Sequence, residues 1–224
     1  MRQPLMIFAA GFGTRMRPLT DNLPKPLIPV GGQTLLDRAL AMGRAAGCDP
    51  IVVNTHYLGG MIASHLAGQG VAISDEADAI LETGGGLRKA LPLLGAGPVL
   101  TLSPDVVWTG PNPLMALQAA WDDTRMDALM MLVPLAKATA RKGGGDFALD
   151  GDGQISRKGD FVYGSAHLLR ADRLAEIPDR VFSLNLVWDR IIADGRAFGI
   201  VHHGGWCDVG APETIPLAEG LLDG

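Results

Sequence analysis

Apolar runs alternate along this chain with segments of helical spacing, and no other feature narrows the choice of fold so far. The runs are "PLMIFAA" (4–10), "PIVVNTHY" (50–57), "GVAISDE" (70–76), "GPVLTLSPD" (97–105) and "DALMMLVPL" (127–135). Between them lie "TLLDRALAMGRAAG", "LGGMIASHLAG", "GGLRKALPLLG" and "NPLMALQAAWDD", each with apolar residues at three- and four-residue intervals. The first of these sets Leu35, Leu36, Ala39 and Leu40 on one face, with Thr34 as N-cap, Asp37 in the first turn and Gly47 as stop. Strands that are apolar on both sides need cover on both faces. The alternation therefore predicts an α/β fold: a Rossmann-like, mainly parallel sheet with helices on both faces.

From residue 143 the texture changes. "GGGDFALDGDGQISRKGDFVYGSAHLL" carries turn dipeptides between short β-rich runs, which predicts hairpins appended to the main sheet as a small β-rich insertion. "SLNLVWDRIIADG" returns to helical spacing, with Leu186, Ile191 and Ile192 as candidate core. "AFGIVHHGGWCDVG" reads as a strand pair and "PETIPLAEGLLDG" as a closing helix. With 224 residues, 47% hydrophobic, and mean hydropathy +0.20, one domain over 1–224 has material for a substantial core. The formal charge of −5 argues against a surface that coats nucleic acid. Cys48 and Cys207 are too few for a disulfide framework and read as intracellular thiols. The apolar N-terminal run is too short to span a bilayer, so a cytoplasmic protein without membrane contact is expected.

The acidic average hides a basic island. Residues 1–30 hold Arg2, Arg15, Arg17 and Lys25 against the single acid Asp21. Such an island suits a compact anion better than a polymer. The loop "GFGTRMRPLTDNLPKPL" follows the first strand directly, where glycine-rich turns present backbone N–H groups to phosphate oxygens. Gly11 and Gly13 let the backbone approach closely, on the expectation that a Cβ at either position would intrude. Arg15 offers a planar fork and Lys25 a compact charge. The spacing fits neither a Walker loop, which needs Gly-Lys-Ser/Thr, nor a dinucleotide fingerprint, which needs glycine where Met16 stands.

"AAGFGTRMRPLT" followed by "PKPLIPVGGQTLL" resembles the signature of the sugar-1-phosphate nucleotidyltransferases. The resemblance implies that Ala10, Gly11, Gly13, Thr14 and Arg15 hold the nucleoside triphosphate and that Lys25 meets phosphate near the reacting centre. It implies Mg2+ as cofactor. Taken singly, Asp105 and Asp208 read as turn or capping aspartates; the resemblance assigns them as the two metal ligands, with Arg15, Lys25 and Asp105 the catalytic set. "SPD" at 103–105 departs from the small-residue pair common before the first metal aspartate in relatives.

"LETGGG" (81–86) reads either as a helix entry or, by the resemblance, as a base-and-ribose pocket of Glu82, Thr83, Gly84 and Gly85. It is similar to the short members that use uridine nucleotides, among them the N-acetylmuramic acid 1-phosphate uridylyltransferases of cell-wall recycling. That favours UTP. Asn54 is a pocket residue or a structural turn. Gly145, Asp146, Tyr163, Gly164 and Asn185 are the candidates for the sugar side, so residues to about 110 form the nucleotide part and 111–224 the sugar part. The expected partners are a nucleoside triphosphate and a sugar 1-phosphate, on a monomer or weak homo-oligomer. Mannose-1-phosphate guanylyltransferase activity and non-catalytic nucleotide-sugar binding are the alternatives. His202 and His203 alternate across a strand and so do not converge on a metal. Met130 and Met131 read as core, "DGDG" (150–153) as a hairpin turn, and Trp108, Trp121, Trp188 and Trp206 as too scattered to stack nucleic-acid bases.

Overall fold

The computed structural model describes residues 2–224. In chain order the elements are β1 (Leu5–Phe8), β2 (Pro29–Val30), β3 (Gln33–Thr34), α1 (Leu35–Ala45), β4 (Ile51–Thr55), α2 (Gly59–Leu66), β5 (Ala72–Asp75), α3 (Glu82–Leu94), β6 (Pro98–Leu102) and β7 (Val106–Trp108). There follow α4 (Pro113–Ala120), β8 (Ala128–Pro134), β9 (Ala138–Thr139), β10 (Phe147–Leu149), β11 (Ile155–Arg157), β12 (Phe161–Arg170), α5 (Leu184–Ala193), β13 (Ala197–Val201), β14 (Trp206–Asp208) and α6 (Ile215–Asp223).

The main sheet has β5, β4, β1 and β6 side by side and parallel. β12 then enters antiparallel between β6 and β8, and β13 closes the far edge parallel to β8. The hairpin β10–β11 hangs from the start of β12. The sheet is thus mainly parallel, with β12 and the edge strand β11 reversed. β12 alternates between buried and half-buried residues over Phe161–Ser165 and is continuously buried only over Ala166–Leu169, where it pairs with both β6 and β8.

Period-two alternation splits the core into two layers. Leu5, Ile7, Ile51, Val53, Leu100 and Leu102 pack beneath α1, α2 and α4. Met6, Val52, Val99 and Leu132 face α3 and α5. Met130 and Met131 point to opposite layers, both buried. Thr34 caps α1 by accepting from Asp37 N at 3.0 Å, and Gly47 takes the left-handed turn after it, φ +67°.

Three expectations need correction. Leu186 is 46% exposed, while Ile191 is buried and Ile192 partly buried as expected; Leu184, Val187 and Trp188 complete the buried face of α5. The segment 197–210 does not form a strand pair. β13 joins β8, while β14 leaves the main sheet for a three-stranded one with β7 and β9. α3 begins at Glu82, three residues before the expected start at Gly85.

Candidate active site

The register Phe8↔Asn54 and Ile7↔Leu102 brings the ends of β1, β4 and β6 to one edge of the sheet. The glycine loop leaves β1 there. Gly13 adopts φ +62°, and a Cβ on it would lie 3.0 Å from both Lys25 Cβ and Thr20 Cγ2, so this position requires glycine. Gly11 differs: an added Cβ would meet no protein atom within 4 Å, so the expected intrusion does not occur within the chain itself. The loop is pinned by Thr20 Oγ1, which donates to Gly13 O at 2.9 Å, and by Met16, whose side chain is fully buried.

Met16 belongs to a small apolar cluster with Ile28, Val30, Leu35, Val107, Cys207, Val209 and Ala218. This cluster explains how motifs nearly 200 residues apart in the sequence come together. It ties the glycine loop and the Pro24-Lys25-Pro26 segment to β7, β14 and α6. Leu27 N donates to Pro24 O at 2.9 Å and Ile28 N to Lys25 O at 3.1 Å, so a short turn between the two buried prolines aims the ammonium. Lys25 Nζ donates to Asp105 Oδ2 at 2.7 Å, with the lysine side chain only 12% exposed. Asp105 follows β6, and its carbonyl accepts from Val209 N at 2.9 Å. Asp208 pairs opposite Val106 in the β7–β14 ladder, which sets it beside Asp105. Burial pushes the Asp208 carboxyl above its usual range and the charge of Asp105 adds to the rise, while Lys25, Arg15 and Arg141 pull it down. Arg15 completes the cluster: a Cβ on Gly210 would be 2.9 Å from its guanidinium and 3.2 Å from Asp208 Oδ1.

Two facing carboxylates, with no group of three metal-ligating side chains among the described residues, form an incomplete cage. That donor set fits Mg2+, which takes one or two protein carboxylates and fills its shell with water and phosphate oxygens. Asp105 and Asp208 would hold it.

The cavity lined by Lys25 and Asp105 adjoins a second one at Phe8 and Gly11, walled by Ala10, Asn54, Glu76, Ile80, Glu82 and Thr83. Asn54 stands here, but its polar atoms are spent. Ala9 N donates to Asn54 Oδ1 at 2.7 Å, and Asn54 Nδ2 donates to Glu76 Oε1 at 2.6 Å. Glu76 Oε2 accepts from Leu81 N at 2.9 Å, and the carboxylate is 1% exposed. Glu76 is one residue that sequence reasoning missed; an acid just after an apolar strand gives no sign of a partner on another strand. The glycines of α3 also act differently from expectation. Gly84 N and Gly85 N both donate to Phe182 O, at 2.9 and 3.1 Å, so neither N–H is free to read a base edge. Side chains at these positions would collide with Phe182 and Arg180, and one at Gly86 would lie 2.6 Å from Glu76 Oε1. The glycines seat the helix. Glu82, at φ +59°, and Thr83 remain at the cavity wall.

The sugar-side candidates line neither of these two cavities. Asp146 accepts from Arg141 at 2.7 Å and, with its other oxygen, from Tyr163 N at 2.9 Å. Gly145 packs against the Gly159 carbonyl, and Gly164 O accepts from Trp206 Nε1 at 3.0 Å. Tyr163 OH meets His167 Nδ1 at 2.6 Å, and burial pushes its hydroxyl well up. Asn185 lies on α5, accepting from Arg157 at 3.0 Å. Arg141 was not among the candidates, yet it links Asp146 to the field at Asp208.

The fold and the charged edge together define a nucleotide-handling α/β domain, and the chain belongs to the MobA-like NTP transferase family, which matches residues 5–139. Among relatives it is similar to the N-acetylmuramate alpha-1-phosphate uridylyltransferase of Caulobacter vibrioides, 38% identical over 97% of this chain and 96% of that one. The protein of the same description from Neisseria meningitidis is 33% identical, covering 96% of both chains. A solved structure of a putative glucose-1-phosphate thymidylyltransferase from Bacillus anthracis superposes with TM-score 0.83 over 98% of this chain and 94% of that one, at 17% identity, which shows a shared fold.

Proposed function

We propose that this chain transfers the uridylyl group of UTP to N-acetylmuramic acid 1-phosphate in the cytoplasm, with Mg2+ as cofactor, releasing pyrophosphate. The carrying observation is the Lys25–Asp105 ion pair at 2.7 Å with Asp208 in the neighbouring ladder position, at the mouth of the glycine loop. The two uridylyltransferase relatives, matched nearly end to end, support the choice of base and sugar.

Both reactants are anions, so repulsion and misalignment dominate the barrier. The N–H groups of the loop at Gly11–Thr14 and the Arg15 guanidinium neutralise the outer phosphates. Lys25 is held between two prolines, so little freedom is lost when its ammonium moves from Asp105 to a phosphate oxygen. Ala10, Glu82 and Thr83 border the nucleoside; Asn54 and Glu76 hold the Ala9 backbone in place behind it. Mg2+, when bound by Asp105 and Asp208, supplies charge neutralisation at the reacting phosphates. The sugar is assigned to the side of Gly145, Asp146, Tyr163, Gly164 and Asn185. No nucleophilic side chain is needed, because the sugar phosphate oxygen attacks directly.

The test is pyrophosphate release by the purified chain with Mg2+ and N-acetylmuramic acid 1-phosphate, using UTP, GTP, CTP and dTTP in turn. UTP is expected to be preferred. Preference for GTP with mannose 1-phosphate would replace this reading by the guanylyltransferase one, and binding without release would make the chain a nucleotide-sugar-binding protein.

A further inference from the structure

The cavities at the sheet edge share walls and run as one trough. The base end at Asn54 and Thr83 joins the Lys25–Asp105 cavity through Gly11, and that cavity continues to Arg15 and Gly210. Beyond those two residues the trough opens into a basin of about 400 Å3, bordered by Asp208 and Glu213, whose remaining charged residues the reading above leaves unassigned. Arg17 and Lys142 line it together with Arg15.

Lys142 reaches the basin through the small sheet. β9 runs parallel to β14 with Thr139 beside Cys207, so the chain leaving β9 passes Asp208. Neighbouring Arg141 turns away to Asp146, whereas Lys142 faces the basin. Both basin cations are only loosely held. Lys142 Nζ lies 3.4 Å from Glu213 Oε1 with side chains 77% and 66% exposed, and Arg17 lies 3.4 Å from Asp21 in an equally open pair. Pairs this exposed are weak and exchange readily for a stronger anion.

The chemistry says which anion. The acceptor oxygen forms a bond to the α-phosphorus, the bond from that phosphorus to the bridging oxygen breaks, and pyrophosphate leaves with the electron pair. Displacement is in line, so the leaving group departs opposite the attacking sugar phosphate. With the nucleoside at the base end, the outer phosphates extend past Arg15 towards the basin. We propose that Lys142 and Arg17 form a receiving site for the leaving inorganic pyrophosphate, with Glu213 as the resting partner of Lys142. The inference rests on the nucleotidyl-transfer reading and adds to it two residues on the product side.

The full chain is assayed in reverse, with UDP-N-acetylmuramic acid, Mg2+ and pyrophosphate, following UTP formation. Lys142→Gln and Arg17→Gln should each raise the KM for pyrophosphate about five- to tenfold, the loss of one charge-assisted contact, and leave the KM for the nucleotide sugar within about twofold. Lys142→Arg should restore most of the loss, and Glu213→Gln should lower the pyrophosphate KM. Melting curves that match the parent chain certify the fold of each variant. An unchanged pyrophosphate KM in both charge-removing variants overturns the proposal, as does an equal rise in the KM for the nucleotide sugar. A parent chain inert in reverse with every nucleotide sugar would instead overturn the nucleotidyl-transfer reading.

Discussion

Replacing Glu76 by glutamine, a change of one atom, should unsettle the whole base end of the site. The buried chain of hydrogen bonds there has its polarity fixed at both ends by backbone donors. Ala9 N–H requires the oxygen of Asn54, which forces the Asn54 amide nitrogen towards Glu76 Oε1. Leu81 N–H occupies Oε2. The residue in the middle must therefore accept at both positions, and only a carboxylate does so. Either orientation of a glutamine sets its NH2 against a donor, and Asn54 cannot flip without opposing Ala9 N–H. One charge-assisted bond is lost and one buried donor is left unpaired, together about 2 to 4 kcal/mol. For a chain of this size that corresponds to a fall in Tm of roughly 5 to 15 °C. Thermal unfolding followed by circular dichroism reads it, and the KM for UTP should rise in parallel because Asn54, which tethers Ala9, loses its own anchor. A Tm within about 2 °C of the parent chain would refute the polarity argument.

Other expectations follow from the same geometry. Lys25→Met should lower kcat/KM by about a hundredfold or more while the melting curve stays near that of the parent, since its charge acts at the phosphates; equal losses in stability and rate would make the lysine structural. Gly84→Ala should destabilise the chain by about 1 to 3 kcal/mol, because the new Cβ falls on the Phe182 ring that seats α3, which urea denaturation measures. His167 is fully buried, and burial holds its imidazole at about 3. A depressed folded value means that the unfolded chain binds the extra proton. The stability is therefore fully present above the ordinary histidine value of 6.5 and is lost as pH falls from there towards 3. The loss approaches about 1.4 kcal/mol per pH unit. Urea midpoints between pH 7 and 4 should show that slope, and His167→Asn should flatten it.

The alternation of apolar runs and helical spacings was enough to read a covered, mainly parallel sheet, since each periodicity reports local burial. Strand direction was not legible. β12 lies reversed inside the sheet between β6 and β8, where the sequence suggested an appended hairpin, because Tyr163, Gly164 and Ser165 interrupt its apolar run. The helix α5 was recognised with Ile191 on its buried face, but Leu186, two residues after Leu184 and five before Ile191, falls off that face despite its apolar side chain. At the site, Lys25 stood out locally through its flanking prolines, whereas Asp105 and Asp208 read singly as turn aspartates and were singled out only by the family resemblance; the structure sets the three side by side. Glu76 and Arg141 stayed hidden. Their significance comes from partners on other elements, Asn54 22 residues away for one and the field at Asp208 for the other, which no local pattern encodes. The glycines at 84–86 were noticed for one reason and are present for another: Phe182, Arg180 and Glu76 leave no room for a side chain.

That Asp105 and Asp208 act on one shared cation is tested most directly by a double-mutant cycle on kcat/KM, with Asp105→Asn, Asp208→Asn and the pair together. Two ligands of the same ion fail as a unit, so the double variant should lose little more than the worse single one. Losses that multiply would show the two carboxylates working independently, and would contradict the shared site.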